Sequence, residues 1–263
     1  MNIKQSKNLK ILKFVIFTIV AAGVLLALTA CGSSADLLEF KLVFDEYYVV
    51  TGVKEDCPDN IIIPSGYDGL PVREIGSFVF SGRKNIKTVV IPDSVQIIEK
   101  RAFSGCTSLK KIKLGNNVKR IYSCAFYECE NLKSITIPST TIDIDPSAFT
   151  FCNRLEKIFV KSGNKIYSGK GNCLIEKKTK TLIAGGSKSK IPNDGTVTTI
   201  GEAAFLARNV KNVVIPDSVT LIKESAFAQC PALETCILPD GCQIEQAVFF
   251  YCDNLKWVVI PTS

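Results

Sequence analysis

The sequence predicts a mainly β solenoid, a stack of about seven coils of 22–23 residues with a hairpin over the first coil and another inserted part-way. Three observations predict it. Phe80, Phe103, Phe126 and Phe149 are 23 residues apart, and Phe205, Phe227 and Phe249 follow at spacings of 22. Apolar residues recur six, nine and eleven places after each Phe, with the Phe205 coil one residue short. A turn signal, IPDSV, stands at both 91–95 and 215–219. Such self-similarity outranks any local propensity, because one coil cannot bury its apolar side alone and stacked coils bury one another.

The chain opens with a different signal. Lys4, Lys7, Lys10 and Lys13 precede the apolar stretch FVIFTIVAAGVLLALTA (14–30), a secretory pattern. The stretch ends at Leu28, Thr29 and Ala30, followed by Cys31 and Gly32, which resembles the lipobox of bacterial lipoproteins. The resemblance implies cleavage before Cys31 and lipid attachment to its sulfur. The alternative is an uncleaved anchor, since 17 apolar residues lie at the lower edge of a membrane span. The expected organisation is therefore a signal peptide over 1–30, a lipidated N-terminus with capping hairpin over 31–60, and a repeat domain over 61–263. Two or more acyl chains would hold such a protein on the membrane, outside the cytoplasm and exposed at the cell surface.

The coil elements follow in order. The apolar residues six, nine and eleven after Phe103 are Leu109, Ile112 and Leu114; after Phe126 they are Leu132, Ile135 and Ile137. These offsets spell L-x-x-L-x-L, the core of a leucine-rich repeat, and the last two alternate as a half-buried strand does. Pro then Asp in the next segment suits a type I turn. A further apolar pair, such as Val95 and Ile98, leads back to the next Ala-Phe. The full pattern, I-P-x-S-V-x-x-I-x-x-x-A-F-x-x-C-x-x-L over 61–263, resembles the BspA-like leucine-rich repeats of bacterial surface proteins. The segments YYVVTGV (47–53) and IIIPSGYDGLPVREIGSFVF (61–80) resemble the opening of such domains, where a hairpin covers the first coil. The resemblance implies non-catalytic recognition or adhesion at the cell surface. The rival reading is a passive spacer of the envelope with no tight ligand.

Cys106, Cys129, Cys152, Cys230 and Cys252 all stand three places after a Phe. That shared phase points them inward, as small buried hydrophobes. Disulfides between neighbouring coils stay open as a second reading, since coils stack at about 5 Å and a disulfide needs a similar Cα separation. Arg83 and Arg208 take this place in their coils. Cys124 and Cys129 form a lone C-x4-C without a matching pair, and no metal site is expected.

Between Val160 and Ile200 the coils pause. The segments NCLIEKK and KTLIAGG within 164–186 read as a hairpin, an insertion common in BspA-like domains. Residues 161–194 carry eight lysines against Glu176 and Asp194. Lys170, Lys177, Lys178, Lys180, Lys188 and Lys190 are a candidate site for anionic polymers. The plainer reading is a solvated edge that discourages strand pairing.

The residues between the buried ones form an outward row. Val90, Lys113, Thr136, Phe159, Val214, Ile237 and Val259, with Trp257 beside them, make a candidate binding face for a protein or glycan. β-propensity explains the branched residues, but Phe159 and Trp257 less well; the plainer reading of Trp257 is a side chain that seals the last coil.

Composition narrows the function further. With no histidine in 263 residues, Ser-His-Asp and Cys-His mechanisms and histidine-bound zinc are excluded. The lysines of 1–30 carry four of the seven net positive charges, leaving +3. That is no nucleic-acid footprint. The motifs SLKK and SKSK lack the S-D-N partner of penicillin-interacting enzymes. No catalytic residue, cofactor or nucleic-acid partner is expected, and the chain is expected to be a monomer.

Overall fold

The computed structural model describes residues 34–260, so Cys31 lies outside the described residues. It is a β-solenoid of about nine turns. Among the described residues there is no α-helix, only three short 3-10 turns at Ser34–Leu37, Pro146–Phe149 and Lys170–Asn172.

Each coil has three sides. The front side carries the short strands Asn60–Ile62, Thr88–Val90, Lys111–Lys113, Ser134–Ile137, Lys157–Val160, Asn212–Val214, Thr235–Ile237 and Trp257–Val259. All their pairings are parallel, with each residue opposite its equivalent in the next coil, as in Val213 opposite Cys236 and Cys236 opposite Val258. The back side carries Leu70–Ile75, Ile97–Ile98, Arg120–Ile121 and Asp143–Ile144, then Thr199–Ile200, Leu221–Ile222 and Gln243–Ile244. The third side is the corner built around each Phe. There the N–H of one Phe donates to the carbonyl before the next: Phe80 to Ala102, Phe103 to Ala125, Phe126 to Ala148.

The corners owe their tight turn to a backbone the sequence did not advertise. Residues two before the Phe (Phe78, Arg101, Cys124, Ala203, Ser225, Ala247) all have positive φ, and so do those two after it. Only Gly82 and Gly105 have the residue type that suits this conformation; Glu128, Phe151, Ala207, Gln229 and Tyr251 adopt it without help. Each non-glycine there costs about 1–2 kcal/mol, offset by the coil-to-coil hydrogen bonds it permits. One coil differs. Pro146 drives Asp145 into an extended conformation, Asp145 caps the Ser147 N–H, and a 3-10 turn replaces the first left-handed residue.

Inside the corners the Phe rings form two parallel stacks. Centroids are 5.0, 5.5 and 5.7 Å apart from Phe80 to Phe149, and 4.9 and 6.0 Å from Phe205 to Phe249. Between the stacks runs the inserted hairpin, Leu174–Glu176 antiparallel to Thr181–Ala184. It belongs to the body rather than hanging off it. Thr181–Ala184 pairs in parallel with Thr199–Ile200, and Leu174 and Leu182 are buried. Asn164 anchors the departure with all four of its amide bonds made: it donates to Pro138 and Thr141 carbonyls and accepts from the Ile166 and Tyr167 N–H groups. The insert thus supplies a turn of its own, and Asn60–Ile62 opens another before Phe80, which carries the seven phased coils to about nine turns.

The first coil is closed by Leu38–Val43 paired antiparallel with Tyr47–Val53, which runs parallel to Leu70–Ile75. Phe40, Tyr48 and Tyr67 pack ring against ring there, with Phe40 and Tyr67 stacked at 4.2 Å.

Candidate functional site

The predicted outward row lies along the front in two runs, Val90 to Phe159 and Val214 to Val259, parted by the insert. Val90 lies opposite Lys113, Thr136 opposite Phe159, Val214 opposite Ile237, and Ile237 in turn opposite Val259. Trp257 stands one row over, opposite Thr235. Ile62, opposite Val90 and exposed, extends the row at its N-terminal end. Sequence reasoning passed it over because no Phe precedes it to mark the phase. The row is not uniform. Lys111, Lys113, Ser134 and Thr136 make its middle polar, whereas Val214, Ile237, Val259 and Trp257 make its C-terminal end apolar and at least a third exposed.

Behind the row, the phased cysteines are buried as expected, four fully and Cys252 nearly so. All are free thiols with a shared task. Cys106, Cys129, Cys152, Cys230 and Cys252 donate S–H to the carbonyls of Phe80, Phe103, Phe126, Phe205 and Phe227 respectively, at 3.0–3.2 Å. Burial pushes the Cys106 thiol up to about 12 and Cys152 to about 11, so both stay protonated and inert.

The two arginines in the cysteine place do the same work over a longer reach. Arg83 donates to the Val53 carbonyl at 2.8 Å. Arg208 is fully buried and lies across the inserted turn. Its Nη2 donates to the Phe149 carbonyl at 2.7 Å, its Nε to Gly185 at 2.9 Å and its Nη1 to Leu206 at 3.1 Å. A thiol cannot span the gap left where the inserted turn brings no Phe. Gly185 stands there instead, because a Cβ would fall 2.1 Å from the Phe205 ring.

The six candidate lysines divide rather than converge. Lys177, Lys178 and Lys180 surround the hairpin turn, at the far end of Thr181–Ala184 from Lys188 and Lys190. Lys170 pairs with Asp194, Lys188 pairs with Glu156 at 2.7 Å, and Lys177 donates to the Asn164 carbonyl. Lys178, Lys180 and Lys190 are exposed. Where the insert rejoins the coils, a cleft of about 700 Å3 opens between residues 187–194 and the strand Asn212–Val214. The sequence held no signal for it. Among the described residues no group of three His, Cys, Asp or Glu gathers as a metal site, and no helix is long and apolar enough to cross a membrane.

A family description, the BspA type leucine-rich repeat region, matches residues 73–194 and 187–263. The chain belongs to this family. No curated protein matches this BspA-type chain. Among solved structures it is similar to a leucine-rich repeat protein from Eubacterium ventriosum (TM-score 0.60, 20% identity, 85% of this chain and 70% of that one). It is also similar to the pneumococcal vaccine antigen PcpA (TM-score 0.62, 19% identity, 77% of this chain and 62% of that one). At these identities the likeness establishes the fold alone. BspA-type solenoids of this kind are typically non-catalytic scaffolds.

Proposed function

We propose that this BspA-type protein is a non-catalytic recognition or adhesion protein, held at the bacterial surface by lipid on Cys31, that binds a protein or glycan along its front row. The observation that carries the reading is the apolar end of that row. Val214, Ile237 and Val259 stand in register, and Trp257 is 67% exposed beside them. A large aromatic left in solvent next to three aligned aliphatics is the usual composition of a contact surface, not of a solvated strand. Family membership supports the same reading, and the similar pneumococcal protein is described as a vaccine antigen. The lysines at the hairpin turn offer a second, salt-sensitive contact for anionic polymers.

The test uses the full-length chain in mild detergent, offered to immobilised matrix proteins, sulfated glycans and wall polymers at two salt concentrations. Removing the hairpin is unsuitable, because Leu174 and Leu182 are core residues. Two variants replace that deletion. The pair Phe159→Ser and Trp257→Ser should lower partner binding at least tenfold with little change in thermal unfolding, since Trp257 is 67% and Phe159 42% exposed. Lys178→Glu with Lys180→Glu should abolish only binding that salt weakens. A folded wild-type chain that binds none of these surfaces would leave a passive spacer.

A further inference from the structure

The cleft beside the insert is more than a gap, because of what lines it. In most regular coils the residue seven after the Phe donates its N–H to the carbonyl of its equivalent in the preceding coil, as Lys110 does to Lys87 and Glu156 to Lys133. In the inserted turn Lys188 takes that place and donates to Glu156. A front strand should start there. Instead the chain leaves the ladder, and the Lys190 N–H goes to Gly171. Among the described residues, Asn212–Val214 therefore pairs only with Thr235–Ile237.

The unpaired edge faces the cleft. The Lys211 carbonyl and the Ile215 N–H are directed to the following coil, where they bond Glu234 and Ile237 at 2.8 Å. Backbone groups alternate along a strand, so the N–H and C=O of Asn212 and Val214 point the other way, into the cleft. At about 700 Å3 the cleft lies within the roughly 300–1,000 Å3 typical of ligand sites. Its floor and walls include Ile191 and Val214, and its charge is uneven: Lys170, Lys190 and Lys211 against Asp194. Lys170 pairs with Asp194, and Lys211 with Glu234 at 3.2 Å. Lys190 carries its charge at the rim without an ion pair among the described residues.

We infer that this cleft binds an extended acidic peptide segment, which adds as a strand to the open edge of Asn212–Val214 and sets a carboxylate against Lys190. Main-chain pairing supplies affinity in such strand addition, and the flanking pockets supply selectivity. The inference rests on the reading of this chain as a recognition protein but uses the backbone edge of a front strand rather than the outward side chains of the row, so the two can fail separately.

The probe is an acetylated and amidated hexapeptide alternating valine and glutamate, with a valine–lysine counterpart and a sulfated disaccharide as comparisons. Binding to the full-length chain is followed by calorimetry and by hydrogen exchange at the Asn212 and Val214 amides. The valine–glutamate peptide should bind, weaken with salt and slow exchange at Val214 at least tenfold. Lys190→Glu should cost at least tenfold in affinity, and Val214→Pro, which deletes a donor, should abolish binding. Should Val214→Pro misfold, Lys190→Glu and the exchange readout carry the test. Phe159→Ser with Trp257→Ser should leave peptide binding unchanged. Equal binding of the lysine peptide, binding of the disaccharide alone, or peptide binding without amide protection would overturn the inference. None of these outcomes touches partner binding by the front row, which the two aromatic substitutions report on their own.

Discussion

The coils built on Phe80 to Phe149 and those built on Phe205 to Phe249 follow one repeat, yet equivalent residues are not equally buried. Nine places after the Phe, Val89 and Ile158 are at most 1% exposed, whereas Val258 is 42% exposed. Eleven places after it, Ile91 and Ile137 are sealed, whereas Ile260 is 58% exposed. The first block has the N-terminal hairpin on one side and the insert on the other. The second has the insert on one side, and among the described residues its last coil has no neighbour beyond it. Phase along the sequence says which way a side chain points. Position in the stack says whether anything lies there to meet it, because a solenoid coil is buried by its neighbours rather than by itself.

Arg208 marks the seam. The buried residues fall into two clusters, one running from Leu38 to Ala184 and one from Cys173 to Cys252. The guanidinium is the polar link between them, held by three carbonyls and no carboxylate. Burial without a counter-charge lowers its proton affinity, but a guanidinium keeps its charge.

The sharpest way to break the comparison is to remove one ring from each block. Phe126→Ala should destabilise by about 3–5 kcal/mol, as large-to-small changes at fully buried aromatics do. Phe249→Ala, in the half-buried last corner, should cost no more than about half of that. Urea denaturation of the two variants decides it, and equal losses would mean that the terminal coil is as tightly held as the central ones.

The seam comes next. Arg208→Ala should cost about 2–4 kcal/mol, from two buried carbonyls losing a donor and the space the side chain leaves. Arg208→Cys, which restores the residue typical of this place, should not rescue it, since a thiol is too short to reach Phe149 across the inserted turn. Both variants should also split the denaturation into two transitions, detectable when Trp257 fluorescence and far-ultraviolet dichroism stop coinciding.

The smallest effect is in the thiols, and it sharpens the comparison chemically. Burial holds Cys106 at about 12 and Cys152 at about 11, against an ordinary 9.0. A thiol whose folded value is raised favours the folded state fully below about pH 9, and that advantage is lost as pH climbs towards 11–12. Each such thiol contributes a slope of about 1.4 kcal/mol per pH unit in that window. In the last coil the cover thins: Cys252 is 9% exposed, whereas Cys106, Cys129 and Cys152 are sealed. Iodoacetamide at pH 8 should therefore label Cys252 well before Cys106, Cys129 and Cys152, as mass spectrometry of timed samples will show.

Much of this was legible beforehand. The Phe phase located seven corners, the alternation eight to eleven places later located the front strands that follow them, and the cysteine phase placed five thiols inward. The hairpin insertion was visible as a pause in the pattern. Other features left no trace. Glu128 and Gln229 sit in left-handed turns that their residue types do not announce, because stacking hydrogen bonds override the local preference. Arg208 read as a departure from the repeat, when it is the repeat's own contact made over a longer distance. The six hairpin lysines read as one cluster, and the strand between them separates them.

By itself, then, the sequence determined the solenoid, its phase and its polarity of inside and outside, since each is a periodic property that every coil repeats. Only the tertiary structure decided how the interruption is bridged and what it exposes. Arg208 and Phe149 lie 59 residues apart, and the open edge of Asn212–Val214 exists because a strand is absent beside it. Neither fact has a local signature, because both depend on which coil comes to rest against which.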